Sequence, residues 1–359
     1  MSKNKIISIG AATLDTFVRP KKQSIFRLDS EDGRKEFLSL EYGGKIKIKD
    51  VHETLGGSAH NAAVTFARLG LSSSFCGVIG EDEWGEKIIK NLKKENIDFA
   101  LVQKEKKEKT GFSVILNSYE GERTVLNYKG ANACFNPKKL GELDAGWIYL
   151  THLNEKSESI LEDILEQKKE KGFKIAWNPG STQINQGAKK YQEFLKNTEI
   201  ILLNKEEGAN FTGKKFQVPT IGGKKCPECE TFVDEDGDGF PESIYDCSEI
   251  FKSFQNLGVK NIVITDGKRG AQVISKDNLY YASSTGDFPV DTLGAGDAFS
   301  SAFCAGLILD LGIEKSLVWA SENASSVVSF FGAQEGILSR EKIEEREKEI
   351  RVRVAKKGF

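Results

Sequence analysis

The 359-residue chain is 39% apolar and 29% charged, with 51 basic against 53 acidic side chains. That composition excludes disorder and collagen, and it allows two domains or one large α/β domain carrying additions. A formal charge of -2 supplies no attraction to nucleic acid or anionic lipid, and the longest apolar run, ending at Leu309, is far shorter than the ~20 residues of a spanning helix, so neither nucleic acid nor membrane is expected as a partner. In chain order, β-branched runs at 5–9, 74–79, 146–150, 173–177, 199–203 and 261–265 read as strands. Between them 85–94, 157–171 and 188–197 carry apolar residues at three- and four-residue spacing and read as amphipathic helices. This alternation predicts parallel strands joined by right-handed crossovers. Two segments interrupt it: 25–51, which alternates over 45–49, and 110–127, which reads as two strands around a turn at 118–122. Both are expected in a small antiparallel sheet outside the main one, serving as a lid or as a dimer surface. The charged runs at 104–109 and 340–357 read as solvated faces. With no apolar stretch of signal-peptide length at the N-terminus, a cytoplasmic location is expected.

The strongest chemical signal is Asp291-Thr292-Leu293-Gly294-Ala295-Gly296-Asp297, which opens a helix of small residues. Glycines at 294 and 296 let backbone N–H groups converge at a helix start, and a helix N-terminus stabilises the charge of a transferring phosphoryl group. A carboxylate in that first turn, Asp297, can accept the proton of an attacking hydroxyl; the alternative reading is a glycine turn with an N-terminal cap. No G-x-x-x-x-G-K-[ST] string occurs, and the third glycine of a dinucleotide fingerprint is replaced by Phe299. A second signal, Leu55-Gly56-Gly57-Ser58-Ala59-His60-Asn61, runs into a helix closed by Arg68-Leu69-Gly70. Asn61 offers a donor and an acceptor for sugar hydroxyls, and Asp15 stands where a strand end can present a carboxylate to a ligand.

Cys76, Cys134 and Cys304 are scattered singly and read as small hydrophobes. Cys226, Cys229 and Cys247 cluster with Asp234, Asp236 and Asp238 in an insertion at 214–248. The alternate aspartates suit Ca2+ and the C-x-x-C pair suits Zn2+, although a fourth zinc ligand and the terminal glutamate of an EF-hand loop are missing. The competing reading is a polar surface loop with a reactive or disulfide-linked cysteine pair; in either case the expected role is a structural staple.

The two glycine motifs, with Gly80-Glu81-Asp82, Gly130-Ala131-Asn132, Asn204-Lys205-Glu206-Glu207, Thr265-Asp266-Gly267 and Gly332-Ala333 in order between and after them, resemble the ribokinase-like (PfkB) carbohydrate kinase family over nearly the whole chain. The resemblance implies a doubly wound, mostly parallel sheet with helices on both faces over 1–359, and a β lid from 15–55 and 110–128. It implies transfer of the γ-phosphate of ATP to a hydroxyl of a small sugar, with Asp297 as general base and Gly294, Ala295 and Gly296 as the anion hole. Asp15, Gly57 and Asn61 would contact the acceptor. Asn204 and Glu207 would organise Mg2+ through water, and Asn204, Thr265, Gly267 and Asn323 would line the nucleotide pocket. Asp291 resembles the family's monovalent-cation ligand, making K+ a candidate cofactor. Ribokinases carry Lys after the paired glycines where this chain has Ser58, and a bulky residue before Asn61 is similar to the nucleoside-kinase branch, so a nucleoside is the alternative acceptor. A non-catalytic ligand-binding protein on the same fold is the rival from another class, and the lid edge suggests a homodimer.

Overall fold

Parallel strands covered on both faces need apolar side chains at successive positions rather than alternate ones, and six runs in this chain meet that demand. The computed structural model describes residues 3–30, 33–119, 123–221, 224–225, 240–241, 244–286, 289–349 and 351–359. Strands Ser72–Cys76, Lys5–Ile9, Trp147–Leu150, Lys174–Trp177, Ile200–Asn204 and Asn261–Thr265 lie side by side in that order and all run parallel. Successive side chains point to opposite faces. Ile7, Ile148, Ile175, Ile201 and Ile262 meet Ile164, Phe194, Phe211 and Phe251 from the helices of one layer. Ile6, Trp147, Tyr149, Ile200 and Val263 meet Phe66, Phe299, Phe303 and Trp319 from the other. Each such burial contributes roughly 1.5–3 kcal/mol, which is why a strand slip by one residue is not tolerated.

Three antiparallel strands, Ala271–Ser275, Asn278–Ala282 and Val354–Gly358, complete a nine-stranded sheet. The charged tail expected to be a solvated face is therefore a helix, Arg340–Glu347, followed by the edge strand Val354–Gly358, whose lysines guard an otherwise exposed row of backbone groups. The run at 74–79 divides: the chain leaves the main sheet after Cys76, and Val78–Gly80 pairs with Gln103–Glu105. The helix expected at 188–197 is a 3₁₀ turn, Ala188–Tyr191, and a short helix, Gln192–Lys196. Tyr191 interrupts it because its ring is buried and its hydroxyl donates to Glu158 Oε1 at 2.6 Å.

A second sheet orders Arg123–Tyr128, Phe112–Asn117, Thr13–Pro20 and Ile48–Gly56. It is mixed rather than purely antiparallel, since Thr13–Pro20 and Phe112–Asn117 run parallel, with Asp15 opposite Ser113. Ser24–Ser30 and Gly33–Ser39 form a separate ribbon. Cys226, Cys229, Asp234, Asp236 and Asp238 lie outside the described residues. Cys247 is described, and it is a core residue, 1% exposed. Burial pushes its thiol up to about 12, which favours the neutral thiol over the thiolate that zinc takes. Among the described residues no helix is long and apolar enough to cross a membrane, and no cluster of three or more His, Cys, Asp or Glu could hold a metal ion.

Candidate active site

The carboxyl ends of the parallel strands and the second sheet enclose a cleft of about 410 Å³. Gly10 and Ala11 enter it after Lys5–Ile9, His152 after Trp147–Leu150, and Gly180 after Lys174–Trp177, which is where open α/β sheets take ligands. The second sheet contributes Thr13, Asp15, Ser113 and Asn127 to the opposite wall. Two helix starts complete it: Gly57, Ser58 and Asn61 from Ser58–Arg68 with its cap, and Gly294 and Asp297 from Ala295–Ile308 with its cap.

Asp297 sits in the first turn of Ala295–Ile308. Asn61 Nδ2 donates to Asp297 Oδ2 at 2.9 Å, and Ser58, one helical turn before Asn61, donates its hydroxyl to the same carboxylate. Burial raises the Asp297 carboxyl above the ordinary carboxylate range, and these two hydrogen bonds oppose the rise. Gly294, the helix cap, holds φ +80, and a Cβ there would fall 2.3 Å from the Ala333 Cβ, so only glycine allows this turn to pack on the 332–334 loop. The Ala298 amide bonds to Gly294 O at 2.8 Å, whereas the Gly296 and Asp297 amides find no acceptor among the described residues. No atom lies within 4 Å of where a Gly296 Cβ would sit. Two N–H groups of this first turn thus stay unbonded beside a carboxylate, with open space at the Gly296 Cα.

Asp15 is 6% exposed, and burial together with the nearby charges of Asp297 and Asp291 raises its carboxyl, against hydrogen bonds from Ser113 and Thr13. A Cβ on Gly56 would come within 2.0 Å of Asp15 Oδ2. The first glycine of the pair therefore makes room for a carboxylate, a reason the sequence motif does not reveal. Asn132 clamps the Ala12 peptide from both sides, donating to its O at 2.9 Å and accepting from its N at 3.2 Å.

Asn204 and Thr265 stand opposite each other at the ends of adjacent strands, with Gly267 two residues on. Asn204 and Glu207 form a reciprocal capping box: Asn204 N donates to Glu207 Oε2 at 2.9 Å, and Glu207 N donates to Asn204 Oδ1 at 2.8 Å. Burial raises the Glu207 carboxyl, and Asp297 is among the charges that act on it, so the two acids share one field. Asn323 is not brought to this group. It is fully buried, with Nδ2 donating to Ala298 O at 3.0 Å and Oδ1 accepting from Leu338 N at 2.9 Å. Both ends of its amide are bonded to backbone groups, of Ala298 and Leu338.

Asp291 is also occupied. Its Oδ1 accepts from Leu293 N at 3.0 Å and from the Arg123 guanidinium at 3.4 Å, and Arg123 donates to Thr292 Oγ1 as well. The positive charge beside Asp291 is thus an arginine of the second sheet. Sequence reading missed Arg123, Ser58, Gly56 and Asn132 as site residues. Of these, Gly56 and Ser58 lie in the second glycine motif and Asn132 in the Gly130-Ala131-Asn132 string, whereas Arg123 carried no signal.

With the geometry in place, comparison with known proteins agrees. The family model of the pfkB family carbohydrate kinases matches residues 32–340. The bifunctional ribokinase/ribose-5-phosphate isomerase A of Fructilactobacillus sanfranciscensis is 27% identical over 292 residues, covering 80% of this chain and 48% of that protein, so the chain spans about half of that relative. The ATP-dependent ribose-1-phosphate kinase of Halopiger xanaduensis is 24% identical over 78% of this chain and 82% of its own. The structure of Arabidopsis thaliana ribokinase complexed with ribose and ATP shares the fold at a TM-score of 0.70 and 22% identity, covering 96% of this chain and 98% of that one. The chain belongs to the pfkB family of carbohydrate kinases, phosphotransferases whose acceptor is an alcohol.

Proposed function

We propose that this protein transfers the γ-phosphate of ATP to a hydroxyl of a small sugar held between Asp297, Asp15 and Asn61. The observation that carries the reading is the pairing of the Asp297 carboxylate with the acceptor-free amides of Gly296 and Asp297 at one helix start. Those amides, with open space beside Gly296, fit the oxygens of a polyphosphate. Glu207, with its remaining carboxylate oxygen, and the neighbouring Asn204 fit a cation that keeps most of its water. Bound ATP with Mg2+ supplies the phosphoryl group and neutralises its charge.

Asp297 takes the proton of the acceptor hydroxyl, whose oxygen bonds to the γ-phosphorus as the bond to ADP breaks. Asn61 and Ser58 hold the carboxylate in place and keep enough of it ionised to act. The Gly296 and Asp297 amides face the charge that grows on the phosphoryl oxygens. Asp15, held by Ser113 and Thr13, accepts from further hydroxyls of the sugar. Residues 15–55 and 110–128 act as the lid, and closing it excludes water that would otherwise compete for the phosphoryl group. Arg123 already answers the charge of Asp291, so the reading requires no monovalent cation there.

Phe26, Leu28, Phe37, Ile48, Val51 and Leu126 of the second sheet and its ribbon are exposed. A second copy of the chain covering this face is the dimer we expect, and light scattering after size exclusion reads it directly. The kinase reading is tested by coupled ADP release over a panel of sugars and nucleosides. Acceptor-dependent release that disappears in Asp297→Asn supports it, whereas release that needs no acceptor, or none with the whole panel, removes it.

A further inference from the structure

Asp15, from the second sheet, and Asp297, from a helix start, give the cleft two acids, and the charge of Asp297 acts on Asp15. Elsewhere on the lining stand Lys129, just past Arg123–Tyr128 of the second sheet, and His152, just past Trp147–Leu150 of the main sheet. Lys129 Nζ donates to His152 Nε2 at 3.5 Å, so the two walls meet through this pair. Lys129 is the sole lysine or arginine among the described residues lining the cleft. No carboxylate among the described residues lies within ion-pair distance of it. Burial and the Lys129 charge lower His152 to about 4, leaving the imidazole neutral near pH 7 and without a counterion. Gly180 crowds its other ring face, since a Cβ there would fall 2.0 Å from Nδ1. A cation exposed at the lining of a cleft, next to an imidazole and with no acid at ion-pair distance, is suited to a small anion.

We propose that the acceptor is a sugar already bearing an anionic group, a phosphate ester or a carboxylate. Lys129, backed by His152, takes that group while Asp297 faces the hydroxyl to be phosphorylated and Asp15 the sugar's other hydroxyls. The proposal deepens the kinase reading and rests on it for the reaction. The anionic group is bound and left unchanged; the bond made is between the acceptor hydroxyl oxygen and the γ-phosphorus. Lys129 is the specificity-determining residue. An anion in place of water beside His152 stabilises its protonated form, so bound ligand raises the imidazole pKa.

The test uses the full chain with three matched probes: ribose, ribose 5-phosphate and ribonate, and the fructose, fructose 6-phosphate and gluconate set beside them. Binding is read by calorimetry, and turnover by ADP release. At least one anionic sugar should bind about tenfold or more tighter than its neutral parent, the range of a single charge-assisted hydrogen bond. Phosphate esters and sugar acids are separate arms, so the preferred one identifies the anion. Lys129→Glu should reverse the preference and Lys129→Arg should keep it. Because Lys129 is exposed, both variants should fold, with circular dichroism as the check. The His152 ring, followed by NMR, should titrate at higher pH in the presence of the preferred ligand. Anionic preference lost in Lys129→Glu, without turnover of any probe, would uphold the anion site at Lys129 and overturn the part of the inference that makes its ligand the acceptor. Turnover of neutral sugars, with anionic and neutral probes binding within twofold or responding alike to Lys129→Glu, would overturn the inference and leave the kinase reading standing.

Discussion

Asn61 gives its Nδ2 to Asp297 and receives Gln334 Nε2 on its Oδ1 at 3.1 Å, so its amide can point only one way. Gln334 is fixed in turn: its carbonyl accepts from Arg68, which also pairs with Glu95 in a two-pronged contact. The Arg68-Leu69-Gly70 string thereby reaches the reacting carboxylate through two intermediaries. Asp297→Asn leaves this frame intact and removes only the proton acceptor. It should lose roughly two to four orders of magnitude in kcat while ATP affinity, measured by calorimetry, changes by less than about threefold.

The acid limb of kcat/KM follows from the same contacts. The proposed mechanism needs ionised Asp297, and burial raises its pKa above the ordinary 3.8, so activity should fall at higher pH than for a free carboxylate. Ser58 and Asn61 lower that pKa by bonding to the charged form. Ser58→Ala and Asn61→Ala should each move the acid limb further up in pH. A limb that stays in place in both variants would show that another group controls it.

Gly56→Ala tests the acceptor side without touching a polar group. The new methyl would enter the space of Asp15 Oδ2, with backbone too constrained at the strand end to yield. KM for the sugar should rise about tenfold or more, with KM for ATP nearly unchanged. The equivalent change at Gly296 meets open space and should instead weaken ATP.

How far the sequence reveals this site depends on how local each feature is. Gly294 to Asp297 is legible because a helix start, its glycines and its first-turn acid lie within a few residues. Asn204 and Glu207 are legible as a helix start, but the same spacing also makes a capping box, and sequence cannot separate the two uses. Arg123 and Asp291 are 168 positions apart and meet only because a strand of the second sheet starts beside the turn that precedes Ala295–Ile308. Asn323 reads as a polar pocket residue, and its bonds to the Ala298 and Leu338 backbone are not legible in the sequence. The hairpin Ala271–Ser275 and Asn278–Ala282 escaped because its turn is Lys276-Asp277, with Lys276 at φ +54, rather than the Asn-Gly or Asp-Gly that usually marks one.

Arg123 links the second sheet to the turn that precedes Ala295–Ile308, and its loss should be felt in both. Asp291 is 5% exposed on its side chain, so Arg123→Ala leaves a buried carboxylate with only the Leu293 and Gly332 amides. Arg123 is itself a quarter exposed, which moderates the cost to about 1–2 kcal/mol. Thermal unfolding should register that loss, and kcat should drop as the Thr292–Gly294 turn loosens. Added KCl should restore part of the activity of Arg123→Ala, by returning a cation to Asp291, and leave the parent protein unaffected.

Two histidines set the response of stability to mild acid. Burial lowers both His60 and His152 to about 4 from an ordinary 6.5. Burial keeps His60 neutral, against the hydrogen bond its Nε2 gives to Asn91 Oδ1 at 2.8 Å, while Gln334 Nε2 lies 3.2 Å from Nδ1. Between pH 6.5 and 4 the unfolded chain binds protons at these positions and the folded chain does not, so folding stability falls as pH falls through that window. His60 alone accounts for up to about 3 kcal/mol. Asp15, Glu207 and Asp297 act in the opposite sense, because their raised pKa values let the folded state take protons first. His60→Gln keeps a hydrogen-bonding side chain without the titration. Melting temperature plotted against pH should therefore be flatter for His60→Gln than for the parent between pH 6.5 and 4, and parallel curves would assign the acid sensitivity elsewhere.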